Sequence, residues 1–300
     1  MNTSLTMDAL EVLDAIARKG SFAAAAESLF RVPSAITYTV RKLESDLGIA
    51  IFDRKGHRAE LTEAGAELLR EGRRLLQAAQ EIESRVKRVA TGVETELGIA
   101  LSDLFTVAPV YQVLEKFYAQ GFGTRIRLMR EVYGGSWDAL VTGRADISIG
   151  APGDGPPGGG YITHTMGTVE FDYVVAPHHP LAALPEPLQN QDIQQYRSIS
   201  AADSSRDLAP RTSGILQGQD VLTVSDMASK LLAQQRGLGV GYLPRSMAAR
   251  HVANGTLVIK QVAEPKPEVP CFLAWRSDGG KAQAWLIREF SKLALDELLI

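Results

Sequence analysis

Apolar positions along the first fifty residues repeat at helical spacing. Leu10, Leu13, Ile16 and Ala17 form one stripe from about Met7 to Ala17, and Gly20 stops that helix. Ser21 is placed as the N-cap of a second helix carrying Phe22, Ala25, Ala26 and Leu29. After Phe30-Arg31-Val32, Pro33 begins a third, where a missing N–H costs little. In the third helix Ile36, Val40, Leu43 and Leu47 make a buried stripe, while Ser34, Thr37, Tyr38, Arg41 and Ser45 make a polar face. A short helix, a tight turn and an exposed polar helix predict a helix-turn-helix, whose second helix suits the major groove of B-DNA. The alternative is a solvated amphipathic helix in an ordinary bundle. The segment 51–61 then predicts two short strands around a basic turn. Such a wing, with Arg54, Lys55, His57 and Arg58 at its tip, suits phosphate or minor-groove contact.

From Thr62 to about Thr91 no proline occurs and a seven-residue repeat runs through Leu61, Leu68, Leu75, Ile82 and Val89. Gly65, Gly72, Ala79 and Val86 repeat beside it. About 30 helical residues span roughly 45 Å, and a sustained seam predicts helix–helix dimerisation. The dimerisation set is Leu68, Leu75, Ala79, Ile82 and Val86, with Gly65 and Gly72 permitting close backbone approach. The alternative is a long helix packed on its own chain.

Beyond about Val93, strands and helices alternate, which predicts α/β structure with mostly parallel sheets. Candidate strands are 97–101, 125–130, 146–149, 172–176, 221–224, 240–243 and 270–275; candidate helices are 104–119, 137–142, 226–235 and 282–298. The tract 150–160 holds nine Gly or Pro in eleven residues and predicts a mobile loop near a subdomain crossing. Ligands of doubly wound domains bind at strand C-termini and helix N-termini. That rule selects Ser102, Tyr133, Ser200 and Ser225 as effector-contacting residues; hydroxyls and backbone N–H groups there suit a small anion such as a carboxylate, and plain N-capping is the competing role. Phe171 and Trp137 are candidates for an aromatic wall or for core.

Composition alone describes an average soluble chain: 300 residues, 45% apolar, 22% charged, net charge -3. Two domains are expected from the length. No apolar run is long enough to span a bilayer, and no basic-then-apolar leader opens the chain, so a cytoplasmic, non-membrane protein is expected. The distribution of charge alters that picture. Residues 18–58 contain eight Lys/Arg against four acids, whereas residues 93–300 contain 18 against 22. A basic stretch attached to an acidic module points to anion binding by the smaller part.

Enzyme motifs fare poorly, and no catalytic residue is assigned. Gly237-Leu238-Gly239-Val240-Gly241 enters a strand instead of leaving one, unlike a dinucleotide fingerprint. His178-His179 has no spaced acidic or Cys partner for a metal. Cys271 is the single cysteine, within an apolar run, and Ser204-Ser205 lacks a nucleophile-elbow context. No metal and no resident cofactor are expected.

The segments 20–29, 34–44, 51–54 and 61–65 together resemble the LysR-type transcriptional regulators. The likeness continues at Gly143-Arg144-Ala145-Asp146, 174–181 and 237–244. One departure is Val32-Pro33-Ser34, where the family commonly has Ser-Gln-Pro. The resemblance implies a winged helix-turn-helix over 5–62, a linker helix over 63–91 and an effector-binding domain over 92–300. The last would consist of two Rossmann-like subdomains resembling periplasmic binding proteins, one of about 92–165 plus 267–300 and one of about 166–266. Bases are expected to meet Pro33, Ser34, Thr37 and Tyr38, and phosphates Ser21, Thr39, Arg41 and Arg54. The implied partners are double-stranded DNA, a small-molecule inducer, RNA polymerase, and further copies of the chain as a homodimer or homotetramer. An enzyme or solute-binding domain fused to a DNA-binding module is the alternative, and a ligand-independent DNA binder is another.

Overall fold

The computed structural model describes residues 5–53 and 59–300 and divides into two compact units, 1–86 and 87–300. The first unit begins with α1 (Met7–Lys19), α2 (Phe22–Ser28) and α3 (Pro33–Leu47). Thr6 caps α1 by accepting from the Ala9 amide, and Gly20 ends it with φ 74°, a conformation that costs glycine little. Ser21 caps α2 through the Ala24 amide, and Pro33 opens α3. Ile36, Val40 and Leu43 face inward to join Val12, Leu13, Ile16 and Ala25 in one core. Strands β1 (Phe52–Asp53) and β2 (Glu60–Leu61) pair antiparallel, with Phe52 opposite Leu61. The Glu44 carboxylate accepts from the Ile51 amide at 2.8 Å, which fixes the base of that hairpin against α3. Arg54, Lys55, His57 and Arg58 lie outside the described residues.

The long helix α4 (Glu63–Thr91) starts at Thr62, whose hydroxyl accepts from the Gly65 amide at 3.0 Å. Its two glycines do not serve the role expected of them. A Cβ on Gly65 would lie 2.1 Å from the Ile51 carbonyl oxygen, and one on Gly72 would lie 2.8 Å from Leu10 Cδ2. Both close approaches are therefore to the same chain, as is the packing of Leu68 and Leu69. The first turns of α4 belong to the N-terminal core. Further along, Leu75, Ile82, Val86 and Val89 are exposed, by 45%, 61%, 63% and 82%.

The second unit contains a five-stranded sheet, a three-stranded sheet and a two-stranded pair. The first is ordered β4-β3-β5-β12-β6, from β3 (Glu96–Ser102), β4 (Arg125–Glu131), β5 (Ile147–Pro152), β6 (Tyr161–Val169) and β12 (Val269–Arg276). Helices α5 (Ala108–Ala119), α6 (Gly135–Val141) and α11 (Lys281–Phe290) pack on it, and the short α12 (Leu295–Leu298) leads to Leu299, which bridges Phe105. Its core includes Leu97, Ile99, Phe105, Phe117, Leu273 and Phe290. The second subdomain contains β7 (Phe171–Val175), β8 (Ser198–Ala201), β9 (Val221–Val224), β10 (Gly241–Pro244) and β11 (Val258–Ile259). Its helices are α7 (Pro180–Ala183), α8 (Asn190–Gln194), α9 (Met227–Gln235) and α10 (Arg245–Ala253). Strand β7 lies between β10 and β11, and a Ser198–Val240 bridge brings the β8-β9 pair beside β10.

These sheets are mixed, not mostly parallel. Strands β3, β4 and β5 run parallel, but β12 is antiparallel to both β5 and β6, and β7 is antiparallel to β10 and β11. The antiparallel members are those adjoining the two chain crossings, between β6 and β7 at Glu170 and between β11 and β12. The expected loop over 150–160 is likewise shorter at its start: Gly150, Ala151 and Pro152 complete β5, since Phe272 and Cys271 pair with Ala151 and Pro152.

Candidate DNA-recognition face and inter-subdomain cleft

On α3 the polar residues form an exposed face opposite the buried stripe. Pro33, Ser34, Tyr38 and Arg41 are exposed, Tyr38 by 67%, and Thr37 is half-buried. The Thr37 hydroxyl donates to the Pro33 carbonyl at 2.9 Å, so its oxygen faces outward as an acceptor. Thr39 departs from this group: at about 100° per residue it lies roughly 160° around the helix from Arg41, and it is half-buried. Ser21 is occupied as the α2 cap. Arg31, in the turn before α3, is ion-paired with Asp8 at 2.5 Å. Phe30 takes a left-handed φ of 54° in the turn and is 98% exposed, and Val32 is 62% exposed at the N-cap. The start of the recognition helix is thus a polar surface edged by apolar groups.

In the second unit, the ends of β3 and β4 face β8 and the N-terminus of α9. Ser102 and Ser200 are both buried, at 4% and 5% exposure. Tyr133 sits at a left-handed φ of 49°, a costly conformation for an aromatic residue and one concentrated at functional sites. Burial, with Asp103 and Asp203 nearby, pushes its phenol up to about 12, while its contact with the Ser200 hydroxyl acts in the opposite sense. Tyr133 and Ser200 therefore meet from different subdomains. Ser225 does not join them: it is exposed and donates to Asp226, the cap of α9, at 2.6 Å.

Asp103 was not selected from sequence, yet it bridges the subdomains by accepting from the Met227 amide at 3.0 Å. Burial pushes its carboxyl up to about 6, and the Met227 amide and Arg130 only partly oppose that. The segment after β8 makes a second set of crossings. Ser204 donates to Glu131 at 2.5 Å and accepts from the Val132 amide at 2.8 Å; Asp203 accepts from the Gly134 amide at 3.0 Å. Asp138 accepts from the Asp207 and Leu208 amides, and Arg144 pairs with both Glu131 and Asp138. Phe171 and Lys266 come from the two crossing segments, the Lys266 ammonium 3.7 Å from the Phe171 ring centroid. Trp137 is wholly buried, donating to the Pro152 carbonyl, and is core. Among the described residues no cluster of His, Cys, Asp and Glu could hold a metal, and no helix is long and apolar enough to cross a membrane.

A helix-turn-helix with an exposed polar helix, joined in one chain to a two-subdomain ligand-binding fold, defines a DNA-binding regulator with a sensory domain. Family comparison specifies it further. Residues 7–66 match the bacterial regulatory helix-turn-helix protein, lysR family, and residues 90–295 match the LysR substrate binding domain. The chain belongs to the LysR family of transcriptional regulators. It is 41% identical to the uncharacterized HTH-type transcriptional regulator YeeY of Escherichia coli (strain K12), over 93% of this chain and 91% of that one. It is 39% identical to the probable HTH-type transcriptional regulator YhaJ of the same strain, over 97% of each. In fold it is similar to full-length CbnR in complex with its target DNA, with a TM-score of 0.57, 19% identity, and coverage of 96% of this chain and 99% of that one. It is a DNA-binding transcriptional regulator carrying an effector domain.

Proposed function

We propose that this regulator reads duplex DNA with Pro33, Ser34, Thr37 and Tyr38 at base edges and with Arg41 and Arg54 on phosphates, and that it is governed by a small molecule held between subdomains at Ser102, Tyr133 and Ser200. The module limits are 5–62, 63–91 and 92–300. The observation that carries the effector reading is the contact of the Tyr133 phenol of one subdomain with the buried Ser200 hydroxyl of the other, beside the Asp103–Met227 hydrogen bond. A ligand inserted there changes how the subdomains close, and closure biases the spacing of paired DNA-binding modules. The exposed Leu75, Ile82, Val86 and Val89 support pairing of two chains along the later turns of α4, with tetramers through the effector domains. The protein works in the cytoplasm with RNA polymerase as its further partner, and it carries out no catalysis.

Footprinting the intergenic DNA beside its own gene, with and without a metabolite panel, tests this reading. The expected result is a protected region whose extent changes with one compound, and whose change is lost in Tyr133→Phe and Ser200→Ala. A footprint altered equally in those variants would place the effector elsewhere.

A further inference from the structure

Lys230 lies one turn into α9 and is only 3% exposed. Its ammonium is packed toward Gly241: a Cβ there would lie 3.7 Å from Lys230 Nζ. Among the described residues it has no hydrogen-bond or ion-pair partner. Its electrostatic neighbours are Lys266, which repels it, and Asp103, which attracts it. Lys266 approaches from the second crossing segment, with its ammonium over the Phe171 ring.

The Lys230 ammonium thus has one other ammonium and a single carboxylate as its charged neighbours. That carboxylate is already engaged by the Met227 amide and influenced by Arg130. Burial lowers Lys230 to about 7, with Lys266 adding to the effect, and lowers Lys266 to about 8. A methionine would fill the place of Lys230 without desolvating a charge. A buried cation without a partner is costly unless something pairs with it.

We infer that Lys230 and Lys266 together bind an oxyanion group, carboxylate or phosphate, of the small molecule that occupies the cleft, while Ser102, Tyr133 and Ser200 hydrogen-bond around it. The inference rests on the cleft reading above and deepens it by naming the ligand's charge and the two residues that meet it. The three elements that supply the site belong to subdomain I, subdomain II and the crossing segment between them. An anion bound there neutralises the mutual repulsion and draws all three together.

The test is thermal unfolding of the full chain in chloride, malonate and inorganic phosphate at equal ionic strength, for wild type, Lys230→Met and Lys266→Met. Saturable stabilisation of wild type by malonate or phosphate is expected, with the apparent affinity lowered at least tenfold in each variant. Malonate acting alone identifies a carboxylate ligand, and phosphate acting alone a phosphorylated one. An equal shift in all three proteins, or no saturable shift in any, overturns the inference. A neutral metabolite panel separates this failure from that of the cleft reading. A neutral compound that stabilises wild type but not Tyr133→Phe would leave the cleft in place and remove the anion; no response through either set of residues would remove both.

Discussion

Asp103 accepts the Met227 amide at 3.0 Å, and this bond joins the end of β3 in one subdomain to the first turn of α9 in the other. Asp103→Ala would leave that buried N–H without a partner, at a cost of about 1–3 kcal/mol. Asp103→Asn keeps an acceptor and should recover most of the loss. The two are compared by chemical denaturation at pH 4, where the folded carboxyl is protonated. Wild-type stability in Asp103→Ala would show that the bond holds nothing together.

The same residue gives a pH signature. Its folded pKa, about 6, lies above the ordinary 3.8, so its stabilising contribution is complete below about 3.8 and lost as pH rises through about 6. Asp103→Asn does not titrate. The stability of Asp103→Asn relative to wild type should therefore rise between pH 4 and pH 6. A constant difference across that window would contradict the placement of this carboxyl in a desolvating cleft.

The glycines of α4 separate folding from association. Gly72→Leu would drive a side chain into Leu10 of the same chain, so it should destabilise the N-terminal unit, with a cost of about 1–3 kcal/mol from overpacking. Ile82→Lys and Val86→Lys alter side chains that are exposed in the single chain. They should leave that unit's unfolding unchanged and shift sedimentation toward the monomer. A Gly72→Leu protein that folds normally but dissociates would reverse this division.

Period and capping made the helices legible. Thr6, Ser21, Pro33, Gly20 and Gly48 act locally, so α1 to α3 can be placed from residues a few positions apart. The heptad on α4 was also visible, but a repeat does not say which surface covers it. Ile51 and Leu10 claim the early glycines, and only the fold reveals that. The order of the sheets was hidden for a related reason: β6 is mostly exposed and weakly patterned, and its place beside β12 depends on pairing 100 or more residues away. In the cleft, Ser102 and Ser200 follow from the rule about strand ends. Asp103, Lys230 and Lys266 do not, because each becomes chemically unusual only through burial beside the others. Lys230 left one trace in the sequence, a cation within the Met227–Leu231 stripe that turns inward.

DNA recognition divides into two measurable parts. Arg41→Ala and Arg54→Ala should weaken binding across sequences, each lowering the slope of log affinity against log salt by about 0.9. Thr37→Val removes an outward-facing acceptor whose hydrogen is committed to Pro33. It should change the preferred base at one position, at about 1–3 kcal/mol of discrimination, with the salt slope preserved. Binding selections at two salt concentrations measure both. An unaltered slope for either arginine would remove it from the phosphate set.

The cleft lysines predict how anion binding follows pH. Lys230 titrates near 7 and Lys266 near 8, both below the ordinary 10.5. With a depressed folded pKa, the stability contribution of Lys230 is complete above about 10.5 and is lost as pH falls toward about 7; the unliganded protein therefore carries its full charge penalty at pH 6 and little of it at pH 10. A bound anion restores the ammonium form, so binding above pH 7 takes up protons and weakens as pH rises. Besides Lys266, the charged group that acts on Lys230 is Asp103, on which Arg130 and Asp226, the cap of the helix bearing Lys230, act in turn. Of these, Asp103 ionises near 6 and opposes the anion from there upward. Malonate affinity should accordingly fall between pH 7 and pH 9, by up to about tenfold per unit for each lysine that must be reprotonated. Calorimetry in buffers of different ionisation enthalpy would count the protons, with about one taken up near pH 8 in wild type and fewer in Lys230→Met. Binding that is level across this range, with no proton uptake, would mean that neither lysine meets the ligand.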